Sequence, residues 1–142
     1  MHSNLKEKLW AYIIENNPEL MFSLQADYSV MTYLEDKISK VMPKVMSMLE
    51  QGKEGPTIIE LAIHEMTEEL RPSKFLYLKK ILKEEFPPVF KKFVEAGVLT
   101  FETINLIEHC RELFETYKFS VDTEDNRLLR FAVVAKVHEY IN

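Results

Sequence analysis

Between Val30 and Met48 the apolar residues Val30, Leu34, Ile38, Val41, Val45 and Met48 recur at steps of 4, 4, 3, 4 and 3. That is the spacing of one face of an α-helix, close to the a/d seam of packed helices, and it does not fit the period of two that a strand needs. Helical spacing of the same kind runs through nearly the whole chain. Only three glycines occur in 142 residues, too few for an all-β chain of many tight turns or for a glycine-rich phosphate loop. A length of 142 residues fits one domain, since domains cluster near 100–150 residues. The reading is an all-α fold: a single domain over 1–142 of about seven helices in an orthogonal or irregular bundle.

Punctuation residues set the expected boundaries. A first helix over 4–16 carries Leu5, Leu9, Ile13 and Trp10 on one side; Asn4 and Glu7 are spaced as a capping box, and Pro18 stops the helix. Residues 19–25 form at most a short helical turn. The long helix is expected to kink before Pro43, and Gly52 suits the left-handed position after its end. Thr57 with Glu60 reads as a second capping box, opening a helix to about residue 70 with Ile59, Ala62, Ile63, Met66 and Leu70 inward. A helix over 74–86 turns Phe75, Leu78, Leu82 and Phe86 inward, and Pro88 opens a short helix that Gly97 ends. Thr100 caps a helix to about residue 118 with Ile104, Ile107, Cys110, Phe114 and Tyr117 inward. The acidic run 122–125 suits the positive end of a last helix.

The lone Cys110 closes no intramolecular disulfide, so a disulfide-framed secreted scaffold is excluded. No basic start leads into a continuous apolar stretch, and no run approaches the ~20 residues that cross a bilayer. A cytoplasmic protein without membrane contact is the expectation.

Chemistry-bearing patterns are sparse. A di-iron carboxylate site needs Glu three residues before His, but Leu61, Leu106 and Ala135 precede His64, His109 and His138 at that spacing. His64-Glu65 begins like a zinc-protease motif, yet position 68 is Glu where the metal requires a second His. Glu60, His64 and Glu68 share a helical face that points away from Met66 and reads as a solvated charged face. His109 and Cys110 are neighbours, so they diverge by about 100° and make no nucleophile–base pair; Cys110 reads as a small buried hydrophobe. No Gly-x-Ser-x-Gly elbow exists. No catalytic, cofactor-binding or metal-ligating residue is assigned.

Two features point to partners instead. Met42, Met46 and Met48 lie close together on the long helix, either as filler around Pro43 or as an adaptable surface for a partner helix or a second copy. Charge is also uneven. Residues 1–70 hold 6 basic and 12 acidic side chains, residues 71–92 hold 7 and 2, and residues 93–142 hold 5 and 9. Lys79, Lys80 and Lys83 fall within about 100° on one helix, and Lys91 and Lys92 extend the cluster. Such a patch suits phosphates or an acidic partner, but this helix carries no Arg, Asn or Gln to read base edges.

Several short motifs occur in a familiar order: Asn17-Pro18-Glu19-Leu20, Ile59-Glu60-Leu61-Ala62 running to Leu70, Ser73-Lys74, Ile81-Leu82, Glu85-Phe86, and Phe114-Glu115-Thr116-Tyr117 before an acidic stretch and a terminal helix. In these the chain resembles an uncharacterised all-helical family, a domain of unknown function, found on conjugative transposons of Bacteroides-type bacteria. Arg71-Pro72 stands where that family tends to have a glycine-containing turn. The resemblance implies a cytoplasmic accessory role on mobile elements and no catalytic residues. The expected function is therefore a non-enzymatic protein-interaction or accessory module, with a protein partner or homo-oligomer favoured. The alternative is a weak, non-specific nucleic-acid binder using the basic helix at 71–92.

Overall fold

Asn17 leaves helical geometry at φ −138°, ψ 58°, and Pro18 sets the first turn of a new helix, so the pair separates α1 (His2–Asn16) from α2 (Pro18–Ala26). The computed structural model describes residues 1–142. It continues with α3 (Val30–Glu50), α4 (Gly55–Met66), a single 3₁₀ turn (Glu68–Leu70), α5 (Lys74–Glu85), α6 (Pro87–Glu95), α7 (Leu99–His109), α8 (Arg111–Thr116) and α9 (Arg127–Ile141). The fold is all-helical, as the periodicity requires, with nine α-helices where about seven were expected. The stretch after Pro18 is a full helix rather than a turn. The helix expected over 100–118 breaks at Cys110, whose φ −97° and ψ 6° end α7 and start α8.

These helices gather into two compact units, Met1–Leu70 and Arg71–Asn142, each with its own core, where the unbroken helical pattern reads as one domain. In the first, α1 contributes Leu5, Leu9 and Ile13, α3 contributes Leu34, Ile38, Val41 and Val45, and α4 contributes Ile58, Ala62 and Met66. The α3 seam is thus the one the spacing marks. On α4 the most buried residue is Ile58 rather than Ile59, which is only half-buried. In the second, Leu78, Ile81 and Leu82 from α5 meet Leu106, Cys110, Phe114 and, from α9, Leu129, Val133 and Val137. Tyr77 meets Phe114 and Phe119 edge-on at its side, and those two rings are tilted against each other, with centroids 4.8–5.8 Å apart.

The termini differ from the expected caps for a physical reason. Proline in the first turn of α4 is pre-set for helical φ, so the helix opens at Gly55 and the Thr57–Glu60 pair lies inside it. Asn4 and Glu7 likewise lie within α1. The side-chain caps are Ser73, which accepts from the Leu76 amide at 3.0 Å, and Asn126, which accepts from Leu128 and Leu129 at 2.8 and 3.1 Å. Gly52, at φ 77°, closes α3 as expected: its amide reaches the Leu49 carbonyl and the Lys53 amide the Met48 carbonyl, a Schellman ending. Helix α3 runs on through Pro43, which is exposed together with Ser39, so the carbonyl that Pro43 leaves unbonded lies on the solvent side.

Candidate functional site

Residues Asn4, Lys8, Ala11, Tyr12, Glu15 and Asn16 lie along one flank of α1, beside the stripe that enters the core. Across from them, Pro56, Ile59, Glu60 and Ile63 lie along the corresponding flank of α4. Between these walls runs an open groove of about 680 Å³, mostly apolar in its lining. Ala11 is exposed because its methyl group is too short to fill the space, while Tyr12, Ile59 and Ile63 are half-buried. Ile59 and Ile63 also pack against the first core, so the floor of the groove is the outer surface of that core. Polar groups sit at the edges. Asn16 is tied back by its amide to the Tyr12 carbonyl at 2.9 Å, whereas Lys8, Glu15 and Glu60 form no ion pair.

Four acids of this unit do have cations. Glu35 takes Lys6 and His2, Asp36 takes Lys40, Glu65 takes Lys44, and Glu69 takes Lys37. The Glu35 carboxyl is held below the usual carboxylate range chiefly by its hydrogen bond with Lys6. The groove was not legible in advance: Ile59 and Ile63 read as inward, but nothing in the spacing shows that Ala11 leaves room beside them.

The three methionines do not form one surface. Met46 is exposed (52%), whereas Met42 and Met48 are half-buried against the first core. Residues two apart on a helix point about 160° apart, so Met46 and Met48 face opposite flanks. Of the lysines, Lys79 holds its ammonium 5.8 Å from the Phe75 ring centroid and Lys91 approaches Glu95 at 4.0 Å. Lys80 lines a cleft of about 290 Å³ shared with Tyr77, Phe119, Glu124, Asp125 and Arg130. Lys79, Lys80, Lys83 and Lys92 pair with no carboxylate. Arg130 of the same cleft bridges Glu84 and Glu85 at 3.2 Å each. Burial pushes the Tyr77 hydroxyl up, and that hydroxyl has no hydrogen-bond partner.

Cys110 is fully buried, and burial pushes its thiol up to about 11, so at neutral pH it is protonated and inert. His109 stacks on Tyr140 at 5.4 Å between centroids, and the Tyr140 hydroxyl donates to Glu102 at 3.2 Å. Glu60, His64 and Glu68 are all exposed. No three His, Cys, Asp or Glu side chains converge as a metal site, and no helix is long and apolar enough to cross a membrane.

The chain is all-helical, and the groove between α1 and α4 is mostly apolar in its lining. Compared with known proteins, the chain matches no family model, no curated protein and no solved structure.

Proposed function

We propose that this chain is a non-enzymatic helical interaction module, and that the α1–α4 groove is where it receives a partner. The carrying observation is the groove itself: an apolar floor of Ala11, Tyr12, Ile59 and Ile63 between two helix walls, with Lys8, Glu15 and Glu60 unpaired at its edges. An amphipathic helix with an apolar face and a basic flank is complementary to such a surface. Cys110, fully buried, offers no exposed nucleophile. The resemblance to the transposon-borne family, read from short motifs alone, is the ground for an accessory role on a mobile element.

A synthetic Leu/Lys amphipathic peptide tests the reading by amide chemical-shift titration. Saturable binding is expected at α1 and α4, with at least about tenfold loss in Ala11→Trp, which fills the groove with a central anchor's bulk. Equal affinity for that variant, or for a Leu/Glu peptide, overturns the reading.

A second reading, weak non-specific nucleic-acid binding, is favoured by Lys79, Lys80, Lys83 and Lys92, which lack carboxylate partners. It is opposed by Glu124 and Asp125 beside Lys80 and by Glu95 beside Lys91. Fluorescence anisotropy with short single- and double-stranded DNA between about 50 and 200 mM salt separates the two. No binding at the lowest salt is expected. Binding that falls steeply with salt, and is lost when Lys79, Lys80 and Lys83 become Glu, transfers the function to the basic helix.

A further inference from the structure

Helix α9 is apolar on two opposite sides. Leu129, Val133 and Val137 are fully buried in the second core. About half a turn away, Leu128 (65% exposed) and Phe131 (59% exposed) share a face with exposed Ala135 and His138, at steps of 3, 4 and 3. A solvated helix normally carries charge on that side. Arg127 stands at its edge with its guanidinium 5.8 Å from the Phe131 ring centroid and no carboxylate partner. This is an apolar ridge with Arg127 on one flank and, on the other, Glu139 paired with Lys136 at 3.8 Å.

The same chain carries the matching hollow. The α1 wall of the groove spans Asn4 to Asn16, about 18 Å at 1.5 Å per residue, and the α9 ridge from Leu128 to His138 spans about 15 Å. The groove edge carries Glu15 and Glu60 beside Lys8, one net negative charge with no ion pair among them, and the ridge carries Arg127 without an anion. Charge across the chain is divided in the same sense: residues 1–70 hold 6 basic and 12 acidic side chains, residues 71–142 hold 12 and 11.

We infer that the outer face of α9 in one copy of this chain seats in the α1–α4 groove of another copy. The inference rests on the reading of that groove as a docking surface and names its occupant. Phe131 and Leu128 fill the space that Ala11 leaves, and Arg127 meets Glu15 or Glu60. The contact joins two different surfaces, so it is heterologous and each copy offers one of each. One helix in one groove is a small contact, of the class that associates weakly and transiently, so a dissociation constant of about 10–500 µM is expected.

Sedimentation velocity on the full chain from about 10 µM to 1 mM, a span around that constant, tests it. Concentration-dependent association is expected for the unaltered protein and absent from both Ala11→Trp and Phe131→Asp. Both positions are exposed, and unchanged circular dichroism confirms that the variants fold. Because the contact is heterologous, the two variants mixed in equal amounts regain a one-to-one dimer: the first keeps its ridge and the second its groove. A protein that stays monomeric at about 1 mM, or variants that fail to complement, overturns the inference. Loss in Phe131→Asp alone points to α9 pairing with itself and also overturns it. Binding of the Leu/Lys peptide by a chain that stays monomeric removes this occupant while leaving the groove as a partner site.

Discussion

Replacing Ile38 with Ala lowers the stability of the chain by about 3 kcal/mol, within the 2–5 kcal/mol typical of large-to-small changes at sites that cannot collapse. Ile38 is fully buried and lies in the core to which α1, α3 and α4 all contribute. The cost has two parts: the transfer free energy of the lost methyl and methylene groups, and the cavity left among side chains fixed by three helices. Urea unfolding followed by far-ultraviolet circular dichroism measures it. Met46→Ala on the same helix is the control. Its side chain is 52% exposed, so a change within about 0.5 kcal/mol is expected, as for ordinary surface positions. A loss below about 1 kcal/mol for Ile38→Ala places that residue outside a rigid core.

The second large effect separates two faces of one helix. Leu106→Ala costs about 3 kcal/mol and Ile104→Ala about 1 kcal/mol, because Leu106 is fully buried and Ile104 only half-buried. The ratio matters more than either value. Equal losses mean that α7 is rotated from the orientation described, and a larger loss at Ile104 restores the face expected from the spacing alone.

That misjudged face shows where sequence reading runs out. Ile104, Leu106 and Ile107 are all apolar and all compatible with a helical stripe, so periodicity alone cannot choose among them. The deciding residue is Thr103, which is polar by composition yet fully buried. Its hydroxyl donates to the Leu99 carbonyl at 2.7 Å, so the helix itself satisfies the group and burial costs little. Thr67, the residue that follows α4, donates in the same way to the Ile63 carbonyl of that helix at 2.8 Å. A threonine that bonds within its own helix is an inward residue that hydropathy scores as outward.

The α3 seam was legible for the opposite reason, since its apolar and polar sides do not compete. Schellman endings at Gly52 and Gly97, with φ of 77° and 71°, were legible because glycine enters that region without the cost a Cβ imposes. The division after Leu70 was not, because Arg71-Pro72-Ser73 looks like any other short break between helices. The groove and the α9 ridge lay further out of reach. Ala11 and Phe131 mean little until the packing of α1 on α4 and of α9 on its core fixes which way each one faces.

The sole tryptophan and the sole cysteine fall in different cores. Trp10 is half-buried against the first, and Cys110 is sealed inside the second. Indole emission therefore registers solvent entering around α1, while attack by an alkylating reagent on the thiol registers exposure of the α7–α8 junction. Each half of the chain thus contains one native gauge of its own opening, and the order in which the halves come apart can be followed without adding a dye or altering a residue.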